Sequence, residues 1–360
     1  MNQVTESYCK FIQSWGPRLA KLRITVGSCS SWAESLKIRG MEKGEGRNQT
    51  PIVEFVLLGF GNDSELQPLL FFVFLMIYLV TLAGNLLIVL LVVTDRHLHS
   101  PMYFFLGNLA CLETGFTSTI LPRFLTSLLT GDRAVPVKGC IIQLYVFSVM
   151  SSAENLLLTA MSYDRYLAIC HPLRYTALMN GRVCCQIVAG CWISSFLGSA
   201  VVNIFLWKLT FCNSNEIDHF FCDFTPMLKL SCDDTQILQL LAFIVAALWT
   251  LVPFLLTLAS YVCIISSILG IPSTTGRQKA FSTCSSHLIV VMLYYVIVIV
   301  VYLVPIVNPA EVPKKIISVF CTVLTQMINP FIYCLRNKDV KESLRKTLHK
   351  QVAVRNTPRI

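Results

Sequence analysis

Charge is scarce in this chain of 360 residues: 14% of it is Asp, Glu, Lys or Arg, against about 25% in an ordinary soluble domain. That shortage excludes a conventional solvated surface over most of its length. The sequence also has no GxGxxG, no P-loop, no HExxH and no paired CxxC pattern, so nothing in it argues for dinucleotide, phosphate or zinc chemistry. Internal repeats and low-complexity blocks are missing, and no cofactor is implied. The first 47 residues hold eight Lys/Arg and four Glu. They contain no apolar core of about 7–15 residues, which excludes a cleaved signal peptide there.

What the chain has instead is apolar length. Hydrophobic residues make up 54% of it and its mean hydropathy is +0.64. A bilayer-spanning helix needs roughly 20 mostly apolar residues. Seven such runs stand at 68–93, 101–126, 139–162, 183–206, 237–269, 285–304 and 315–335. The second is the weakest, because Glu113 and Arg123 interrupt it. Lys and Arg in short flanking segments orient the spans. Residues 336–360 carry eight Lys/Arg against Asp339 and Glu342, a net +6, which predicts a cytoplasmic C-terminus and, with seven spans, an extracellular N-terminus. The loop at 207–236 then falls outside, with Lys208 and Lys229 against five acids, a net −3. The overall charge of +9 is juxtamembrane excess facing anionic lipid rather than a nucleic-acid surface, so no nucleic-acid partner is expected.

The most specific string ends the third run: Met161-Ser162-Tyr163-Asp164-Arg165-Tyr166-Leu167-Ala168-Ile169-Cys170, followed by His171-Pro172-Leu173-Arg174-Tyr175. An Asp-Arg pair at the mouth of a membrane helix is expensive to place, which points to a switch element. Other strings keep order with it. Phe55-Val56-Leu57-Leu58-Gly59-Phe60 precedes the first span and Gly84-Asn85 lies within it. Leu98-His99-Ser100-Pro101-Met102-Tyr103-Phe104-Phe105-Leu106 leads into the second, Lys279-Ala280-Phe281-Ser282-Thr283-Cys284-Ser285-Ser286-His287 opens the sixth, and Asn329-Pro330-Phe331-Ile332-Tyr333-Cys334-Leu335-Arg336-Asn337 closes the seventh. Together these resemble the olfactory receptors, a branch of the rhodopsin-like G-protein-coupled receptors, from about Thr50 to Lys341. Two positions depart: Ser162 stands where Ala is usual, and Val296 where a Gly usually follows Tyr294-Tyr295, which leaves the sixth helix less able to bend there.

The fold expected is an all-α membrane protein, a seven-transmembrane helix bundle with a short amphipathic helix after span seven. Residues 1–67 are an extracellular tail, 68–335 the receptor domain and 336–360 a cytoplasmic tail. Met41 begins a stretch resembling the usual start of these receptors, so residues 1–40 read as a disordered extension. Asn48-Gln49-Thr50 is a glycosylation sequon in that tail. Four of the 15 cysteines fall on the oxidising face: Cys140, Cys212, Cys222 and Cys232. Cys140 is 25 residues before Arg165, about 37 Å along a helix, one membrane apart. Spacing leaves three pairings open; the resemblance implies Cys140–Cys222 and Cys212–Cys232. His219, Cys222 and Asp223 also have metal-ligand chemistry, but a disulfide at Cys222 removes its thiolate, and no metal site is assigned.

The resemblance implies an activation switch of Asp164, Arg165, Tyr261, Asn329, Pro330 and Tyr333, in which the paired Arg165 holds the cytoplasmic face closed and, once freed, meets Tyr261, Tyr333 and a partner protein. Glu154 lies 11 residues before Arg165, about 16 Å and almost three turns along the same face. With Asn85, Glu113 and Asn329 it forms a candidate polar cluster, which either holds a cation or a shared proton or is a structural polar network with no regulatory role. Outward of it, spacing selects Phe147, Ser148, Ser151, Val245, Ala246, Trp249, Tyr295, Val298, Tyr302 and Thr322 as a pocket lining between helices three, five, six and seven. That lining is apolar with a few hydroxyls and no inward charge, which suits a small neutral volatile molecule. A transporter predicts repeated halves and an intramembrane enzyme predicts a nucleophile or metal motif, and neither is present. The expectation is an odorant receptor in the plasma membrane, coupled to a stimulatory olfactory-type heterotrimeric G protein and raising cyclic AMP. The alternative is a chemosensor of the same family outside the nose.

Overall fold

The computed structural model describes residues 52–61, 65–212, 214–307 and 314–355. The Asn48 sequon and the 1–40 extension lie outside the described residues. Long helices dominate: α1 Leu66–Thr94, α2 Pro101–Thr130, α3 Val137–Cys170, α4 Gly181–Leu206, α5 Gln236–Leu269 and α6 Thr274–Val307. The next, α7, is a continuous rod of three pieces, Lys314–Val319, a π-helical turn Phe320–Leu324, and Thr325–Arg336. An 18-residue helix, α8, follows at Lys338–Arg355. Among the described residues six helices (α1 to α5, and α7 over Lys315–Cys334) are long and apolar enough to cross a membrane, and α6 contributes the apolar stretch His287–Ile297. The helices overrun the apolar runs at most ends. Thirty-four residues of α3 span about 51 Å, more than a hydrocarbon core of about 30 Å, so composition marks only the part in hydrocarbon.

Local chemistry sets the ends. Pro101 opens α2, where its missing N–H costs nothing, and Gly131 closes that helix in the left-handed region at φ 73°. The Asn180 side chain accepts from the Val183 N–H and caps α4. Helix α3 is central, packing on α2, α4 and α5, with Ala153, Glu154, Leu157, Leu158 and Met161 buried. Outward faces carry exposed Phe72, Met76 and Leu79 on α1 and Phe243, Leu251 and Leu255 on α5. Apolar side chains turned away from the core suit lipid contact.

The all-α expectation needs one correction. A three-stranded sheet caps one end of the bundle, in the order β2-β1-β3. Strand β1 (Glu54–Leu57) pairs antiparallel with β2 (Ala134–Pro136) and parallel with β3 (Glu216–Ile217). Phe55 and Leu57 are buried and Glu54 exposed, the alternation of a half-buried strand. Cys140–Cys222, with Cα atoms 5.3 Å apart, ties this cap to α3, and Cys212–Cys232, at 5.9 Å, closes the loop on itself. Both implied disulfides are present.

Candidate functional site

At the α8 end of the bundle, α3 presents Asp164 fully buried and Arg165 largely so. The guanidinium donates through Nε and Nη2 to Asp164 Oδ2. The other carboxylate oxygen accepts from the Tyr175 hydroxyl at 2.8 Å. Tyr175 stands on the short helix Pro172–Leu178 that follows α3, and burial, reinforced by Asp164, pushes its phenol above the ordinary range, which keeps it protonated and donating. Tyr261 on α5 is hydrogen-bonded to His287 Nδ1 on α6 at 2.7 Å rather than to Arg165. The Arg165 charge lies within electrostatic reach of both. The Tyr333 hydroxyl is buried and has no hydrogen-bond partner among the described residues. One turn of α2 reaches α8: the Tyr103 hydroxyl lies 2.7 Å from Asp339 Oδ2 and 3.0 Å from Asn337 Oδ1.

The polar cluster forms at mid-bundle. Asn329 Nδ2 donates to Glu113 Oε1 at 2.8 Å, and Gln326 Nε2 donates to Glu154 Oε2 at 2.9 Å. The two carboxylates lie within electrostatic reach of each other, and Asn85 borders Glu113. Every member is nearly or fully buried. Glu154 Oε1, Gln326 Oε1, Asn329 Oδ1 and both amide atoms of Asn85 meet no full hydrogen-bond geometry. Such a concentration of orphaned polar atoms, four acceptors and one donor, is costly unless water, a proton or a cation completes it. Pro330, one residue beyond Asn329, sits at a close approach of α1 to α7: a Cβ added to Gly84 would lie 2.9 Å from Pro330 Cβ.

Toward the sheet end the predicted lining is only partly assembled. Phe147 packs on Phe116 at 5.1 Å and on Phe221 at 5.2 Å, centroid to centroid. Ser148 donates back to Leu144 O and Thr322 to Ser318 O, so both hydroxyls remain as acceptors only. Ser151 and Val245 are half-buried, and buried Tyr295 meets Phe254 edge-on at 4.9 Å. Two expectations are corrected. Ala246 is exposed, and Trp249 turns to α4, its ring filling the space beside Gly198, where an added Cβ would approach it to 2.6 Å. The absent side chain at Gly198 leaves room for that ring. The side chains of Val298 and Tyr302 lie outside the described residues.

Spacing missed Gln326, Tyr175, His287 and Gln143. Gln143 donates to Thr119 O and accepts from the Cys222 N–H, stitching α2, α3 and the disulfide loop together. For Gln143, His287 and Gln326 the available signal was a polar residue inside an apolar run; Tyr175 lies between two runs and offered none. Among the described residues no three His, Cys, Asp or Glu gather as a metal site; Cys222 is in a disulfide, as the metal reading of His219, Cys222 and Asp223 required it not to be.

Comparison with known proteins gives one answer. The family model described as Olfactory receptor matches residues 74–351. Human olfactory receptor 10A5 is 47% identical over 310 residues, covering 86% of this chain and 98% of the relative. Olfactory receptor 1G1 of Gorilla gorilla gorilla is 46% identical over 304 residues, 84% and 97% of the two chains, and mouse olfactory receptor 1E16 is 44% identical over 305 residues, 85% and 97%. These are receptors of the G-protein-coupled class and not enzymes. With six membrane-length helices among its described residues, disulfides at one end, a buried Asp-Arg pair at the other, and matches along most of its length, the chain is a multi-pass membrane protein that belongs to the olfactory receptor family.

Proposed function

We propose that this receptor binds small neutral odorants between α3, α5, α6 and α7 and, through release of Arg165, activates a stimulatory olfactory-type heterotrimeric G protein, raising cyclic AMP. The sheet end faces outside at the plasma membrane and the α8 end faces the cytoplasm, with 68–335 as the receptor domain. The net +6 of 336–360 supports that orientation, and so do two disulfides at the opposite end. The observation that carries the mechanism is the Asp164 carboxylate, held at once by Arg165 and Tyr175. A buried charge so paired has two discrete states, and a ligand shifts the balance only through its different affinity for each. The Glu113–Glu154 cluster lies between pocket and switch, and a cation or a shared proton there biases the same equilibrium.

The test is a cyclic AMP reporter in cells displaying the receptor from Met41, challenged with a broad odorant panel. Odorant-dependent rises that vanish without the stimulatory α subunit support the reading. A receptor present at the surface that answers an odorant through another G-protein class contradicts the coupling.

A further inference from the structure

The loop carrying β3 reaches across the cap to α7, and a histidine stands at that contact. His219 is 4% exposed. Its ring lies against Phe220 at 4.7 Å and edge-on to Phe221 at 4.5 Å, and both phenylalanines are buried in the aromatic cluster of Phe74, Phe116 and Phe124. Its backbone carbonyl accepts from the Gly59 N–H at 3.0 Å. Both ring nitrogens are engaged. The Phe221 N–H points at Nδ1, at 3.5 Å, and Nε2 lies 3.1 Å from Ser318 Oγ on α7. A backbone N–H only donates, so Nδ1 must accept. The network therefore assigns the Nε2–H tautomer, which donates to Ser318. Next to it Lys315 of α7 pairs with Asp218 of the loop.

We propose that His219 is an extracellular proton-binding site: neutral, it latches the disulfide-tethered loop to the outer end of α7, and a proton taken up at Nδ1 releases that latch. The proton has no acceptor there. It would turn Nδ1 into a donor facing the Phe221 N–H, in an aromatic surround and beside the Lys315 ammonium. The charged groups facing the ring among the described residues are Lys315 from α7 and Asp218 from the loop itself, with opposite effects. Burial, then Lys315, push the imidazole down to about 4 from its ordinary 6.5, while Asp218 pulls it up. The value is depressed in the latched form, so the released loop takes the proton more readily. The latch is complete above pH 6.5, weakens as pH falls through it, and stops weakening below about 4. From pH about 7.5 to about 5.5 this linkage weakens the latched form about tenfold. The outside placement rests on the orientation proposed above.

The test is hydrogen exchange of peptides covering 216–231 in the purified full chain, wild type against His219→Gln, whose amide still donates to Ser318 but never charges. The expected result is up to about tenfold faster exchange in wild type relative to the variant at pH about 5.5, and parity at about 7.5. Should His219→Gln not fold, Lys315→Met raises the pH at which the loosening stops and so reduces its total extent, and Asp218→Asn lowers that pH and enlarges it. Equal pH dependence in wild type and His219→Gln, or no displacement in either charge variant, overturns the proposal. Odorant potency in cells, read at outside pH about 7.5 and 5.5, separates the two readings. A loop that loosens in the purified protein while potency follows only cytosolic acidification keeps the site and overturns its placement.

Discussion

A single carboxylate at Asp164 serves two donors, and the consequences of removing either differ. Tyr175→Phe leaves Asp164 Oδ1 buried without its donor. That costs about 1–3 kcal/mol in the state seen here and is expected to raise basal cyclic AMP with the fold intact, read against surface expression. Unchanged basal signalling would remove Tyr175 from the switch. Glu154→Gln keeps a side chain for Gln326 to meet but deletes the charge. If the cluster binds a cation or shares a proton, basal or odorant-driven signalling must move, and a receptor indifferent to the change in both would sink that role. Gly84→Ala sets a new Cβ 2.9 Å from Pro330. Separating α1 from α7 there is expected to cost about 1–3 kcal/mol, seen as a lower melting temperature; an undisturbed Tm would show that α7 yields freely.

Single elements show why some features were legible in the sequence and others were not. The helices announce themselves because an apolar run of membrane length has few other homes. The sheet does not: its strands have four, three and two residues, and β1 and β3 lie about 160 residues apart, so no local alternation reveals their pairing. Gln326 was hidden for a different reason. The π turn Phe320–Leu324 adds a residue to α7, which rotates everything after it by roughly 100° against a uniform 3.6-residue wheel. Asn329 was found through its Asn-Pro motif, which needs no wheel. Trp249 and Ala246 were misplaced because spacing assumes α5 faces one partner throughout, and Gly198 of α4 offers Trp249 a closer one. The disulfide between Cys140 and Cys222 spans 82 residues of sequence. Cys222→Ser therefore frees a long loop and is expected to cost about 2–5 kcal/mol, measured as a fall in Tm; a loss no larger than that of an exposed-cysteine variant such as Cys263→Ser would show the loop is held by its sheet and aromatic contacts alone.

Across the whole molecule, the sheet, the loop and its disulfides gather at one end, the Asp164–Arg165 pair and α8 at the other, and the buried Glu113–Glu154 cluster between. That layout suits a device that takes a ligand at one end and reports it at the other through small shifts of α5, α6 and α7. The measurement that tests this most directly is GTP exchange on a purified stimulatory G protein, driven by the purified receptor with and without an odorant found active in cells, wild type against Arg165→Ala. The account predicts odorant-dependent exchange in wild type and its loss in the variant at unchanged odorant binding. Odorant-driven exchange that survives in Arg165→Ala would contradict it.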